Sequence, residues 1–267
     1  MSSKEGLLAG RVAVVTGASR GIGFGIARRF VEEGAKVCIT ARKPDALEEA
    51  VAALGGPVNA VAVAGRADDP EHRAEAVRHV SDLFGPPDVL VNNTGINPVY
   101  GSLLELDLAA ARKIFEVNVL SALGWVQEVF RKPPDRTGAV INVSSVSAVH
   151  PPAGIAFYGV TKAALNHLTS CLAVELAPAV RVNAVAPAVV KTRFAAALYE
   201  GREEEAAAQY PMRRAASALR SLTTTWAPSP AKRRARAAPI PEPPPVMTTA
   251  APLSCSAAPI SRPALPA

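Results

Sequence analysis

Three glycines, at positions 17, 21 and 23, constrain this 267-residue chain more than any other feature. They stand in Thr16-Gly17-Ala18-Ser19-Arg20-Gly21-Ile22-Gly23, between an apolar run, Arg11–Thr16, and a helical pattern, Ile22–Glu33. In that pattern Ile22, Ile26, Phe30 and Val31 share one face, and Gly34 is placed to end the helix. A strand that turns through glycines into a helix lets backbone approach an anion closely. The helix then offers the anion its free N–H groups and the positive end of its dipole. Gly17, Gly21 and Gly23, with Ser19, Arg20 and Ile22 between them, are the expected cradle for the pyrophosphate of a dinucleotide.

The same pairing recurs down the chain. Runs at Lys36–Ala41, Val58–Ala64, Asp88–Asn92, Ala139–Val143 and Val180–Ala186 have the length of buried strands, and several are rich in Val and Ile. Helical patterns at Asp45–Leu54, Pro70–Phe84, Leu108–Phe130 and Phe157–Leu176 lie between them. This alternation predicts an α/β fold: a doubly wound (Rossmann) parallel sheet with right-handed crossovers and helices on both faces. Such sheets bind ligands beyond the carboxyl ends of their strands.

Composition decides where that fold stops. From Arg213 onward there are eight Lys/Arg and one acid, so this tail alone carries +7 of a whole-chain net charge of +6. The globular part is therefore near neutral, which argues against nucleic acid as a partner. The tail also holds 11 prolines, including Pro243-Pro244-Pro245, and lacks apolar periodicity. The expected division is a dinucleotide-binding and catalytic domain over 1–212 and a low-complexity, disordered tail over 213–267. No run of about 18 apolar residues occurs, so no membrane span is expected. Three cysteines, Cys38, Cys171 and Cys255, have no metal-ligand spacing, and the N-terminus lacks the pattern of a signal peptide. A reduced, cytoplasmic setting without a metal is expected, with Cys38 and Cys171 in the core.

The second strand run ends Thr40-Ala41-Arg42-Lys43. An NAD site usually has an acid here for the ribose 2′-hydroxyl, and Ala41 cannot serve. Arg42, with Arg20 from the glycine turn, suits a 2′-phosphate, so NADP is expected in preference to NAD.

Further motifs follow in order: Asn92-Asn93-Thr94-Gly95 after the fourth strand run, then Asn118, then Ser145 at the end of the fifth. Tyr158-Gly159-Val160-Thr161-Lys162 comes last, with Tyr158 13 residues beyond Ser145. From about Leu8 to Arg214 the chain resembles the classical short-chain dehydrogenases/reductases, and within them the 3-oxoacyl-[acyl-carrier-protein] reductase-like and carbonyl reductase members. The resemblance implies hydride transfer between a nicotinamide and a small carbonyl or acyl substrate, and a homodimer or homotetramer.

Tyr158 and Lys162 are four apart and share a helix face. A phenol ionises near pH 10, and the ammonium is expected to lower that value so that Tyr158 can exchange a proton with the substrate oxygen. Ser145 can hold that oxygen; Ser144 is the alternative hydroxyl, and the spacing argues for Ser145. The resemblance further implies that Lys162 binds the nicotinamide ribose and that Asn118 holds a water relaying protons to it. It places Asn93, Gly95, Tyr158, Lys162, Pro187, Val190 and Thr192 along the cofactor. Three positions depart from the family pattern: Ala188 where Gly usually follows the proline, Thr94 where Ala is usual, and Gly65 where many members place an Asp against the adenine.

After Pro211-Met212-Arg213-Arg214 the family would continue with a Leu-Gly-x-Pro-Glu segment, a helix and a Thr-Gly-Gln strand. None of these is present. GC-rich codons for Ala215–Ser221 and Ser229–Arg233, read at one shared offset, can spell Arg-Leu-Gly-Ala-Pro-Glu and Val-Thr-Gly-Gln-Thr. A reading-frame change near Arg214, with a deletion, would explain the tail. The sheet would then lack its last strand and the sixth would be left with an open edge. The competing expectation for function is accordingly a damaged homologue that retains at most nucleotide binding.

Overall fold

The computed structural model describes residues 6–131, 134, 137–151, 154–199, 201, 204, 216 and 217, all within one compact unit, Met1–Trp226. The tail expected over 213–267 lies outside the described residues apart from Ala216 and Ser217.

Six strands form one parallel sheet: β1 (Val12–Thr16), β2 (Lys36–Ala41), β3 (Ala60–Ala64), β4 (Val89–Asn92), β5 (Gly138–Val143) and β6 (Val180–Val185). Their spatial order is β3-β2-β1-β4-β5-β6, with Thr16 level with Thr40 at one carboxyl end and Asn92 level with Asn142 at the next. The inner strands β1, β2 and β4 read as continuous apolar runs because both faces are covered. Val12, Val14, Cys38, Leu90 and Val140 pack on one side with Val80 of α3 (Pro70–Phe84), Trp125 of α5 (Ser121–Val129) and Leu172 of α6 (Ala156–Glu175). Ala13, Val15, Val37, Ile39 and Val91 pack on the other with Ala27 of α1 (Gly21–Glu32) and Leu47 of α2 (Pro44–Ala53). Trp125 is fully buried and is the largest side chain in that state.

Several boundaries have visible causes. At the end of α1, Gly34 takes φ +88, Gly34 N–H bonds to Val31 O and Ala35 N–H to Phe30 O. This is a Schellman stop, which a residue with a Cβ would resist. Asp69 opens α3 by accepting from Glu71 N–H at 3.0 Å, with Pro70 in the first turn where no N–H is needed.

The structure departs from expectation in three places. β3 begins at Ala60 and leaves Val58 exposed. Cys171 is exposed on α6, whereas Cys38 is buried. The helix expected over Leu108–Phe130 is divided: α4 (Leu108–Phe115) passes through one π-helical turn, Glu116–Leu120, into α5. A π turn changes the backbone hydrogen-bond register without breaking the apolar stripe, so periodicity does not reveal it.

Among the described residues the sheet ends at β6, where Val180 and Val182 are buried but Arg181, Asn183, Ala184 and Val185 are exposed. Beyond it, β7 (Val190–Lys191) pairs with β8 (Ala216–Ser217), and a short helix, α7 (Ala196–Tyr199), follows β7 in the chain. No described helix is long and apolar enough to cross a membrane.

Candidate active site

The carboxyl ends of the strands open on a cleft of about 1590 Å³. Gly17, Ser19, Arg20, Gly21 and Ile22 line it from the β1–α1 turn, and Arg42 from the end of β2. Asn93 and Gly95 contribute from beyond β4, Ser145 from beyond β5, and Tyr158 and Lys162 from α6. Pro187, Val190 and Thr192 close the far wall. Gly23 and Asn118 stand behind this surface rather than on it.

The glycine turn is built for close approach. Gly17 and Gly21 have φ +63 and +62, the left-handed region that favours glycine. A Cβ on Gly23 would lie 2.5 Å from Asn93 Nδ2 and 2.7 Å from Gly17 O. No side chain caps the start of α1, so its first N–H groups remain for an anion. Asn93 secures the turn by donating to Thr16 O at 2.9 Å and Gly17 O at 3.0 Å. Thr16, which sequence reasoning passed over, accepts from Asn93 N–H at 3.0 Å and Thr94 N–H at 3.1 Å. The Thr94 hydroxyl lies where a Cβ on Gly17 would meet it at 2.9 Å. A cradle that a single methyl would fill fits the pyrophosphate of a dinucleotide.

At the other end of this wall, Gly65 N–H bonds to Ala41 O at 2.9 Å, which sets the β3–α3 loop beside Arg42 and Lys43. A Cβ on Gly65 would fall 2.2 Å from His72 Nδ1, so the buried imidazole occupies the room a side chain there would need. Arg66 donates to Asp68 at 2.8 Å, and Lys113 of α4 pairs with the same carboxylate. Arg66, and to a smaller degree Lys113, hold the Asp68 carboxyl well below the usual range. Neither the His72 wall nor this ion-pair cluster had a sequence signal, because each joins residues from separate elements.

Ser145 ends the β5 segment as the N-cap of a short 3₁₀ turn, Val146–Ala148. The neighbouring Ser144 hydroxyl donates to Lys162 O at 3.3 Å, whereas the Ser145 hydroxyl oxygen lies 2.6 Å from that of Ser147. Lys162, 3% exposed, donates to Val143 O at 2.8 Å and lies over the Tyr158 ring, 5.6 Å from its centroid. A Cβ on Gly95 would stand 3.5 Å from both Lys162 Nζ and Asn118 Oδ1, so these two polar groups flank one glycine. The Asn118 side chain is engaged on its own account. Its Oδ1 accepts from Ile96 N–H at 2.8 Å, and its Nδ2 donates to Ile96 O and Thr161 Oγ1, each at 3.0 Å. His150 also lines the cleft, and Phe194 meets the Tyr158 ring at a centroid distance of 6.0 Å. Tyr210 and the side chain of Leu198 lie outside the described residues.

The expected lowering of the Tyr158 phenol is corrected here. Burial pushes Tyr158 up to about 12, against a smaller downward pull from Ser145. Burial likewise brings Lys162 down to about 8. The ammonium is placed over the aromatic ring and committed to Val143 O, and both groups have lost water, so desolvation outweighs attraction.

Comparison with known proteins agrees with this architecture. The short chain dehydrogenase family model matches residues 11–203. The human dehydrogenase/reductase SDR family member 2, mitochondrial, is 42% identical over 206 residues, 75% of this chain and 72% of that protein. The Caenorhabditis elegans dehydrogenase/reductase SDR family member 4 is 39% identical over 199 residues, 73% of this chain and 76% of that protein. Among solved structures, L-sorbose reductase from Gluconobacter frateurii, complexed with NADPH and L-sorbose, superposes with a TM-score of 0.75 at 31% identity, covering 83% of this chain and 89% of that one. The chain belongs to the short-chain dehydrogenase/reductase family, NAD(P)-dependent oxidoreductases that act on CH–OH groups.

Proposed function

We propose that this chain reduces ketones with NADPH. One observation carries the proposal: Ser145, Tyr158 and Lys162 meet in the same cleft as the uncapped glycine turn. When bound, the nicotinamide supplies a hydride to the carbonyl carbon. Ser145 and Tyr158 hold the carbonyl oxygen, and Tyr158 gives it a proton as charge develops there. A phenol pushed up to about 12 is fully protonated near neutrality, which suits donation and therefore the reductive direction. Lys162 is assigned to the nicotinamide ribose. Asn118, fixed to Ile96 and Thr161, is assigned to hold the floor of the site beside Gly95 and the water that relays protons to Lys162. Gly17, Ser19, Arg20, Gly21, Ile22, Gly23, Asn93, Gly95, Pro187, Val190 and Thr192 are assigned to the cofactor.

The preference for NADPH rests on Arg42 and Arg20 lining the cleft without an acid at Ala41, and on Asp68 being spent on Arg66 and Lys113. The solved sorbose reductase, an NADPH complex, supports it by likeness. Ile96, Val146, Ile155 and Phe194 give the substrate end an apolar lining, so a ketone with an apolar arm fits, 3-oxoacyl thioesters among them. Loss of reduced-nicotinamide absorbance across a panel of acyl, aryl and sugar-derived ketones, run with NADPH and NADH, tests the proposal. NADPH-dependent turnover is expected; consumption with NADH alone contradicts the cofactor assignment.

A second reading has its own observation: the family match ends at residue 203 and the last strand of the described sheet has an exposed outer end. We propose a reading-frame change near Arg214 that separates a catalytic domain, 1–212, from an unrelated tail, 213–267. Turnover would then be weak, nucleotide binding would survive, and the homodimer or homotetramer usual in the family would be impaired. The coding DNA across codons 205–235 tests it: codons that do not permit the Arg-Leu-Gly-Ala-Pro-Glu and Val-Thr-Gly-Gln-Thr triplets end the idea. The free thiols of Cys38 and Cys171 are in keeping with a reduced, cytoplasmic setting.

A further inference from the structure

We infer that Ser147 is a positioning residue for this reduction, deciding which way the Ser145 hydroxyl points. The inference rests on the ketone-reductase reading above. Ser147 is 7% exposed and lines the cleft. Its N–H donates to Ser145 Oγ at 3.2 Å, and the two hydroxyl oxygens are 2.6 Å apart.

A hydroxyl has one proton and two acceptor sites. The short contact between the two serines holds one proton, which either side can supply. If Ser145 supplies it, Ser145 has none left for a substrate. If Ser147 supplies it, both acceptor sites of Ser145 are filled, one by the Ser147 N–H and one by its O–H. The Ser145 proton then points outward, to Tyr158 or to a carbonyl oxygen held between them. A serine that donates to a phenol oxygen favours the phenolate, which is the direction in which Ser145 acts on Tyr158.

Ser147 is held in place by the helix that carries Tyr158. A Cβ on Gly159 would lie 2.6 Å from Ser147 O, so α6 packs directly on this backbone. As negative charge grows on the substrate oxygen, the chain from Ser147 through Ser145 to that oxygen polarises in one direction. Its contribution therefore rises toward the transition state.

The test is Ser147→Ala in the full chain, which keeps the N–H and removes one donor. The kcat for ketone reduction should fall about tenfold. NADPH affinity by fluorescence titration should be unchanged. The alkaline limb of the pH–rate profile should move to higher pH, because the phenol loses a serine fixed to donate to it. Ser147→Cys, a weaker donor of similar shape, should fall between the two. A purely structural role would not move the alkaline limb. Wild-type kcat and limb in Ser147→Ala, with the parent chain active, overturn the inference and leave the reductase reading intact. Loss of NADPH binding in both variants overturns it as well, by making Ser147 structural. Absence of turnover in the parent chain contradicts the reductase reading and this inference together.

Discussion

The ammonium of Lys162 lies over the Tyr158 ring, 5.6 Å from its centroid, and is committed to the Val143 carbonyl at 2.8 Å. Burial lowers Lys162 to about 8, so the folded chain releases this proton while the unfolded chain, with a lysine near 10.4, still holds it. Between those values the unfolded state binds more protons, and stability rises with pH. The urea midpoint should climb from about pH 8 to about pH 10, and Lys162→Met should flatten the climb. An equal slope in the variant would contradict the assignment.

Arg42 closes β2 where the family needs to distinguish a 2′-phosphate from a hydroxyl. Arg42→Ala should raise the KM for NADPH about tenfold and leave that for NADH within about twofold. Double replacement of Arg20 and Arg42 should go further. Parallel losses for both nucleotides would mean that Arg42 does not read the phosphate.

Gly23 has little room for a methyl: a Cβ would meet Asn93 Nδ2 at 2.5 Å and Gly17 O at 2.7 Å. Gly23→Ala should push α1 away from β1, cost about 1–3 kcal/mol of stability and weaken NADPH binding. Isothermal titration and chemical denaturation of the same variant check both effects. Unchanged binding would place the nucleotide away from this turn.

His72 is 4% exposed, stands edge-on to Trp125 at 5.8 Å, and has no hydrogen-bond partner on either ring nitrogen among the described residues. Burial lowers its affinity for a proton, outweighing Glu75 and Asp69, which raise it, while Arg73 adds to the lowering. The neutral ring is therefore the folded form. Below about pH 6.5 the unfolded chain takes up a proton that the folded chain resists, so stability falls as pH drops. A thermal melt series from pH 7 to pH 5 should show a declining midpoint, less steep in His72→Leu. Parallel slopes would contradict this.

The two kinds of site feature differ in how far sequence could reach. The glycine turn and the Tyr158–Lys162 pair depend on local spacing, and local spacing survives folding. Strands β1 to β4 were legible as apolar runs bounded by turns, and β6 from its alternation of buried Val180 and Val182 with exposed Arg181 and Asn183. The His72 wall behind Gly65 and the reach of Lys113 to Asp68 depend on elements that meet only in the folded chain, whereas the Ser145–Ser147 contact is local, two residues apart in one turn, and is set by the geometry of that turn rather than by residue type. The π turn at Glu116–Leu120 preserves the apolar stripe and so leaves no trace in periodicity. The ionisation of Tyr158 is not legible in the sequence, because spacing shows the partner but not the water lost around both groups.

On the proposed reading, Tyr158 protonates an oxygen whose carbon receives hydride in this cleft. Purified full-length chain incubated with NADPH dideuterated at nicotinamide C4 and a ketone tests it by mass spectrometry of the product. One deuterium is expected on the carbinol carbon with the parent chain, and a loss of at least about a hundredfold in Tyr158→Phe with NADPH binding retained. Equal deuterium transfer by parent and variant, or none by the parent despite bound NADPH, would contradict it.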